Sequence, residues 1–329
     1  MKYLPLVFSS LVCLICLTNY KIISKKFNLY DKSNNRKIHK GKISNIGGIA
    51  IFLSLLFALI SNQIISDNQS LSFFAVMICQ STMLVLLGLV DDKINLQPTS
   101  KTVYLAIVFI CITPIYQNFI ISNLEFLSIS YKQIELTKVS IFFTFLCFFI
   151  FFNTTNFLDG ANGLLSSISI FWLIVIIVNK ATFNVIELSF LISLLIFTYF
   201  NFRNKVFLGN SGSNLIAIFL ALITIKNYNE YDFLKSDEIF FLFLLPGLDT
   251  VRITIERMLH GQNPLTPDKE HLHHLMMKYV NKNFVWIPYL ILTMTVFFIF
   301  KFTLNIFLSF FISLVLYFSI LIFLKKNKK

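Results

Sequence analysis

Residues 139–164 read VSIFFTFLCFFIFFNTTNFLDGANGL. The first part, 139–157, is an almost unbroken apolar run, and at about 1.5 Å per residue it nearly crosses the roughly 30 Å of hydrocarbon in a bilayer. The run does not end in a simple charged flank. It ends in Asn153, Asn156 and Asp159, spaced three apart, which puts three hydrogen-bonding side chains near one helix face. Gly160 and Gly163 follow, where the absence of a Cβ lets backbone approach a ligand closely. Read as structure alone, the string is a polar helix cap and turn. Read as function, it is the wall of a site at the membrane boundary.

Working outward, the rest of the chain has the same character. Of its 329 residues 56% are hydrophobic and 13% charged, 39 are Phe, and mean hydropathy is +0.75, which excludes a water-soluble fold. Spans are predicted at 3–20, 46–66, 71–90, 102–121, 139–157, 163–179, 184–200, 211–226, 238–256, 284–300 and 303–324. These eleven spans describe an all-α, polytopic membrane protein, and no stretch between them is long enough for a soluble domain, so 1–329 reads as one transmembrane domain. An odd number of spans puts the termini on opposite sides. With the Lys-rich 21–42 segment inside, only Lys2, Lys132, Lys138, Lys180, Lys226, Lys235 and Lys301 of the 28 lysines and arginines fall outside, the pattern of cytoplasmic retention.

The net charge of +12 then marks contact with anionic membrane lipids. No basic patch interleaved with aromatic residues suggests nucleic acid. Met1–Tyr20 reads as a retained first span, because no small-residue cleavage site follows and Lys21, Lys25 and Lys26 stop transfer. Cys13, Cys16, Cys79, Cys111 and Cys147 all fall inside apolar runs, where small buried hydrophobes are the better reading than a redox or metal pair.

Ionisable groups are nearly absent from the centres of the spans, which argues against an ion or proton transporter or a lipid flippase. They gather instead at the inner ends: Asp91, Asp92, Asp159, Asp249 and Asp268, with His39, His260, His271, His273 and His274. A reaction between a soluble donor and a lipid acceptor needs a site in that position. Asp91 and Asp92 close the third span; adjacent carboxylates repel unless a cation sits beside them, so a divalent metal or a general base is the natural proposal, against a solvated acidic turn. Lys101 begins the next span as a point charge for phosphate. Phe207-Leu208-Gly209-Asn210-Ser211-Gly212-Ser213 leads into span eight, and small residues at a helix start leave backbone N–H groups for phosphate, although such starts are common. Beyond Pro246 and Asp249 lie Arg252, Arg257, Pro264, Pro267, Asp268, His271, His273 and His274. Helical spacing puts His271 and His274 one turn apart with His273 pointing elsewhere. Zinc is the rival reading for these histidines, but no cysteine accompanies them, and a place beside phosphate and nucleobase suits them better.

Taken together these strings resemble the polyprenyl-phosphate N-acetylhexosamine-1-phosphate transferases of glycosyltransferase family 4, from Arg36 to His274 and in that family's order. The matching residues are Arg36-Lys37-x-His39 leading to Gly47-Gly48; Asp91-Asp92 with Leu96 and Lys101; Asn153-x-x-Asn156-x-x-Asp159-Gly160-x-x-Gly163-Leu164; Gly209-x-Ser211-Gly212-Ser213; and Arg257 through His271-x-His273-His274. The His-x-His-His ending is similar to the branch that uses UDP-N-acetylhexosamines, GlcNAc foremost.

The resemblance implies a multi-pass protein of the bacterial inner membrane with its site facing the cytoplasm. It implies a UDP-N-acetylhexosamine donor, undecaprenyl phosphate as acceptor, release of UMP and dependence on Mg²⁺. It also implies roles for particular residues. Asp91 orients or deprotonates the lipid phosphate, which attacks the donor's β-phosphate; Asp92 serves the metal together with Asn156 and Asn210; Lys101 and Arg257 balance phosphate charge. Asn153, Asn156, Asp159 and Asn162 hold the nucleotide, Phe207 stacks on uracil, and His271, His273 and His274 stand beside the donor phosphates. A homodimer is compatible with the family.

Three positions depart from the family pattern. Asn210 stands where an Asp ligand of Mg²⁺ is usual, and an amide oxygen brings no charge, so metal affinity should fall. Asn162 replaces a common Asp, and Ser44 a Pro ahead of the glycine pair. Asn210 is the motive for a second reading, a relative that binds UDP-sugar or polyprenyl phosphate without efficient turnover.

Overall fold

The computed structural model describes residues 3–32, 42–66, 70–129, 133–180, 182–231, 233–263 and 270–326. Arg36, Lys37 and His39 of the first motif lie outside them, as do Pro264, Pro267 and Asp268. The chain is all-α. Its helices are α1 Leu4–Thr18, α2 Tyr20–Phe27, α3 Gly47–Ser66, α4 Leu71–Ile94, α5 Pro98–Ile112, α6 Ser140–Leu158, α7 Leu164–Val178, α8 Val185–Phe202, α9 Gly209–Glu230, α10 Ser236–Leu259, α11 Leu272–Met276, α12 Trp286–Thr303 and α13 Ile306–Lys326. Two small antiparallel hairpins sit between helices: β1 (Tyr30–Lys32) with β2 (Lys42–Ser44), and β3 (Asn123–Glu125) with β4 (Gln133–Glu135).

A helix stands at each of the eleven predicted spans, although not all of them are both long and apolar enough to cross a membrane by length and composition. Among the described residues eight helices are long and apolar enough to cross, and nine if α1 and α2, bent by 71° at Asn19, count as one. The exceptions have physical causes. Helix α7 has only 15 residues, about 22 Å of rise. Helix α10 carries Asp249, Arg252 and Glu256 along its inner half. The span expected at 102–121 begins earlier, at Pro98, and its α-helix stops at Ile112, where the Thr113–Ile115 segment containing Pro114 tightens into a 3₁₀ turn.

Helix α9 is the centre of the bundle, buried from Ser211 through Asn227, and α3, α4, α6 and α7 pack around it. Lipid offers no hydrophobic drive for helices to associate, so close approach through small residues holds them together. A Cβ on Gly88 would lie 2.4 Å from the Ser211 backbone, and one on Gly48 would lie 2.3 Å from the Gly212 amide nitrogen. The same inner ends are laced by hydrogen bonds. Gly47 and Gly48 N–H, at the start of α3, donate to the Phe207 and Leu208 carbonyls at 3.0 Å each, and Phe207 N–H donates to Ser44 O at 2.7 Å. Small residues thus set the depth at which α3, α4 and α9 meet, and with it the position of every polar string at that end.

Candidate functional site

A cavity of about 1160 Å³ opens at the inner ends of α4, α6 and α8 and the starts of α5 and α9. Asp91, Asp92, Lys101, Asn153, Asn156, Asp159, Asn162, Phe207, Asn210 and His274 all line it. The strings around Asp91, Asn153 and Asn210 therefore meet there, and the histidine string contributes His274.

Helix α4 ends at Asn95, which takes the left-handed conformation and returns its N–H to Asp91 O, so the two aspartates occupy the last helical turn. Consecutive helical residues point about 100° apart. The carboxylates consequently have different partners: Asp91 is buried, pairs with Lys101 and accepts Leu96 N–H at 2.8 Å, whereas Asp92 accepts Asn210 N–H at 3.1 Å. The cation beside Asp91 is Lys101. The first turn of α9, expected to offer its N–H groups to phosphate, gives the Asn210 N–H to Asp92 instead. Gly209, at φ +69, makes that approach possible, since a Cβ there would lie 2.7 Å from Asp92 Oδ2.

Asn153, Asn156 and Asp159 share the cavity-facing side of α6, with Asp159 as its C-cap. Ser213 Oγ donates to Asn156 Oδ1 at 2.7 Å, so α9 touches both Asp92 and Asn156. The turn after α6 is pinned by α8. Asn201 Oδ1 accepts Gly163 N–H at 2.6 Å, Asn201 Nδ2 donates to Val206 O at 2.8 Å, and Asn162 donates to Asn204. Gly163 is left-handed at φ +73 and has a Phe202 ring atom 1.9 Å from where a Cβ would stand.

Asp92, Asn156 and Asn210 offer hard oxygens, one carboxylate and two amides. That set suits Mg²⁺, which is commonly held by one or two carboxylates together with substrate phosphates and water. Among the described residues no group of three or more His, Cys, Asp or Glu side chains could hold a metal ion by itself.

His271, His273 and Arg257 stand back from the cavity. Helix α11 begins at Leu272 with His271 as its cap, so the rings do not follow the spacing of a helix starting at His271. His271 and His273 centroids are 5.8 Å apart, and His273 and His274 are 4.1 Å apart. Phe157, a cavity wall residue, lies 4.7 Å from the His271 ring and 5.7 Å from the Arg257 guanidinium. His273 is fully buried beside Gly160; burial pushes its imidazole well below the usual range, and neither ring nitrogen has a partner among the described residues.

A model of glycosyl transferase family 4 matches residues 74–227, which run from α4 through most of α9 and contain the strings from Asp91 to Ser213. Over that stretch the chain is similar to glycosyl transferase family 4. Among its relatives, a Bacillus subtilis (strain 168) protein named probable undecaprenyl-phosphate N-acetylglucosaminyl 1-phosphate transferase is 26% identical over 282 residues, 83% of this chain and 76% of its own length. An Escherichia coli O157:H7 protein named undecaprenyl-phosphate alpha-N-acetylglucosaminyl 1-phosphate transferase is 26% identical over 267 residues, covering 78% and 71%. A Yersinia pestis protein of that name is 25% identical over 272 residues, also covering 78% and 71%.

The cavity wall holds further residues that sequence reasoning missed: Asn45, Asn95, Asn201, Asn204, Asn214, Lys282 and Asn283. A signal existed for some. Asn45 sits just ahead of Gly47-Gly48, and Asn201-x-x-Asn204 repeats at the inner end of α8 the spacing of Asn153-x-x-Asn156. Lys282 and Asn283 had none, because they reach the cavity only through the path of the chain between α11 and α12.

Proposed function

We propose that this protein transfers a HexNAc-1-phosphate, GlcNAc-1-phosphate in the first instance, from a UDP-sugar to undecaprenyl phosphate at the cytoplasmic face of the bacterial inner membrane. An oxygen of the lipid phosphate attacks the phosphorus that carries the sugar. The bond from that phosphorus to the bridging oxygen breaks, UMP leaves, and the product is a lipid-linked pyrophosphoryl sugar that starts an envelope polysaccharide. The observation that carries this reading is a single cavity at one end of the bundle whose wall is half polar and half apolar. Asp91, Asp92, Lys101 and the asparagines share it with Leu105, Phe149 and Phe152. Chemistry of this kind rests on positioning and charge neutralisation more than on covalent help.

Each residue has a part. Lys101, aimed by its pairing with Asp91, receives the acceptor phosphate, and the neighbouring Leu105, Phe149 and Phe152 receive the first isoprene units. Asn153, Asn156, Asp159 and Asn162 hold the nucleotide against Phe207. His271, His273, His274 and Arg257 serve the donor phosphates from the Phe157 side. Mg²⁺ would be held by Asp92 with the amide oxygens of Asn156 and Asn210, and would supply neutralisation of phosphate charge. A homodimer is the assembly this reading allows.

The test is to incubate the purified protein with undecaprenyl phosphate, Mg²⁺ and a panel of UDP-sugars, and to follow UMP and lipid-linked sugar. UMP formed with UDP-GlcNAc and only in the presence of the lipid supports the assignment. UMP from no donor would leave the binding-only reading, which Asn210 favours because it removes a charge from the cation site.

A further inference from the structure

Asp249, on α10, lies outside the cavity wall, yet its carboxylate accepts from four groups. His271 Nδ1 is 3.0 Å from Oδ2, Leu272 N–H donates at 3.1 Å, Arg252 Nη2 at 2.9 Å and Tyr317 Oη at 2.7 Å. Arg252 also donates to the Glu270 carbonyl at 2.8 Å, which grips the chain on the other side of His271. Helices α10 and α13 thus hold the histidine segment by its backbone and by one ring nitrogen.

The chemistry of the contact fixes the ring. A carboxylate only accepts, so Nδ1 carries a proton, and whenever the ring is neutral Nε2 is the atom with the lone pair. That Nε2 is buried and without a partner among the described residues. An unmet buried nitrogen is a cost in the resting protein, tolerated where a ligand or a proton supplies the missing partner. A network built only to fasten α10 to α13 is complete with Asp249, Arg252 and Tyr317. The imidazole adds an atom that the network leaves open, one side chain, Phe157, away from the cavity.

We propose that Asp249 is a positioning residue for the transfer reaction, holding His271 as the Nδ1–H tautomer in the resting protein, so that Nε2 faces the donor once the Phe157 side chain turns aside and, with a proton taken from solvent, donates to a phosphate oxygen. The proposal rests on the reading that His271 works beside the donor phosphates. Partners that orient a functional imidazole through its other nitrogen commonly change affinity or rate by about 10- to 100-fold when removed.

The experiment compares Asp249→Asn, Tyr317→Phe and His271→Gln in the full-length purified protein. It reads kcat and KM for UDP-GlcNAc, together with ¹⁵N-histidine NMR in micelles, where the His271 signals are those lost in His271→Gln. Asp249→Asn should lower kcat about 10- to 100-fold with KM nearly unchanged, and should turn the single Nδ1–H tautomer into a mixture. Tyr317→Phe removes one bond to the same carboxylate but leaves the imidazole contact, and should keep both the tautomer and kcat. Wild-type kcat and tautomer in Asp249→Asn, with His271→Gln inactive, would overturn the positioning role alone. Equal losses in Asp249→Asn and Tyr317→Phe with the tautomer intact would also overturn it, as a merely structural network. Wild-type turnover in His271→Gln would instead overturn the reading of His271 on which the proposal stands.

Discussion

Two polar clusters sit at opposite ends of the same helices, and they differ in what their side chains face. At the outer end, Lys180 Nζ lies 2.6 Å from Glu187 Oε1, and Asn227 Nδ2 donates to that oxygen at 3.1 Å. Glu230 there pairs with Lys226 and accepts from Tyr116 and from Asn118. Burial pushes the Lys180 ammonium down while Glu187 pulls it back up; burial, with Glu230 beside it, pushes the Tyr116 phenol up to about 12. The groups of that cluster satisfy one another.

At the inner end the polar groups surround an open volume of about 1160 Å³, and His271 Nε2 and both nitrogens of His273 have no partner among the described residues. The lesson is that polar residues at a membrane boundary do two different jobs. Where they close on each other they fasten helices; where they enclose space they are set for a ligand.

Substitutions at the two ends should separate activity from stability. The largest effect is expected for Asp92→Asn, which keeps an acceptor for Asn210 N–H but removes the carboxylate proposed to hold the cation. UMP release should fall by about 10³-fold, with the thermal midpoint in detergent almost unmoved. At the outer end, Glu187→Leu takes from the buried Lys180 its ion-pair partner and should cost about 3–5 kcal/mol. Calorimetry would show the lower midpoint, while the protein that remains folded should keep its specific activity. A large loss of turnover there would break the contrast.

Gly88→Val joins the two regions, because its side chain would collide with the Ser211 backbone. About 1–3 kcal/mol of stability should be lost, and turnover should fall with it as Asp92 parts from Asn210. Asn210→Asp should lower the Mg²⁺ concentration for half-maximal activity by about tenfold; an unchanged titration would remove Asn210 from the cation site.

The smallest effect is a pH dependence. Burial holds His273 neutral, so its folded pKa lies below the ordinary 6.5. The stability tied to that shift is present above 6.5 and is lost as pH falls and the unfolded chain takes up the proton. The midpoint should drop between pH 7.5 and 5.5, and less so in His273→Gln.

Much of the site was legible because it is written in short-range spacing. Asn153, Asn156 and Asp159 fall on one side of α6 since a helix brings residues three apart together, and all three line the cavity. The histidine string was misread for the same reason. Its spacing presumed a helix from His271, whereas Asp249 and Arg252 hold that residue as the cap of a helix starting at Leu272. Tyr317 was invisible as a partner, being an apolar-looking residue 68 positions from the carboxylate it binds. Composition did not register how short α7 is or how α10 pairs its own charges.

By itself the amino-acid sequence determined an all-α membrane bundle with its chemistry at one boundary, since hydrocarbon admits apolar helices and drives ionisable groups to the ends. The tertiary structure alone decided which polar groups neutralise one another and which enclose space. Whether Asp91 meets Lys101, Asp92 meets Asn210 and His271 meets Asp249 depends on the depth and rotation at which helices distant in sequence pack. No local pattern carries that information.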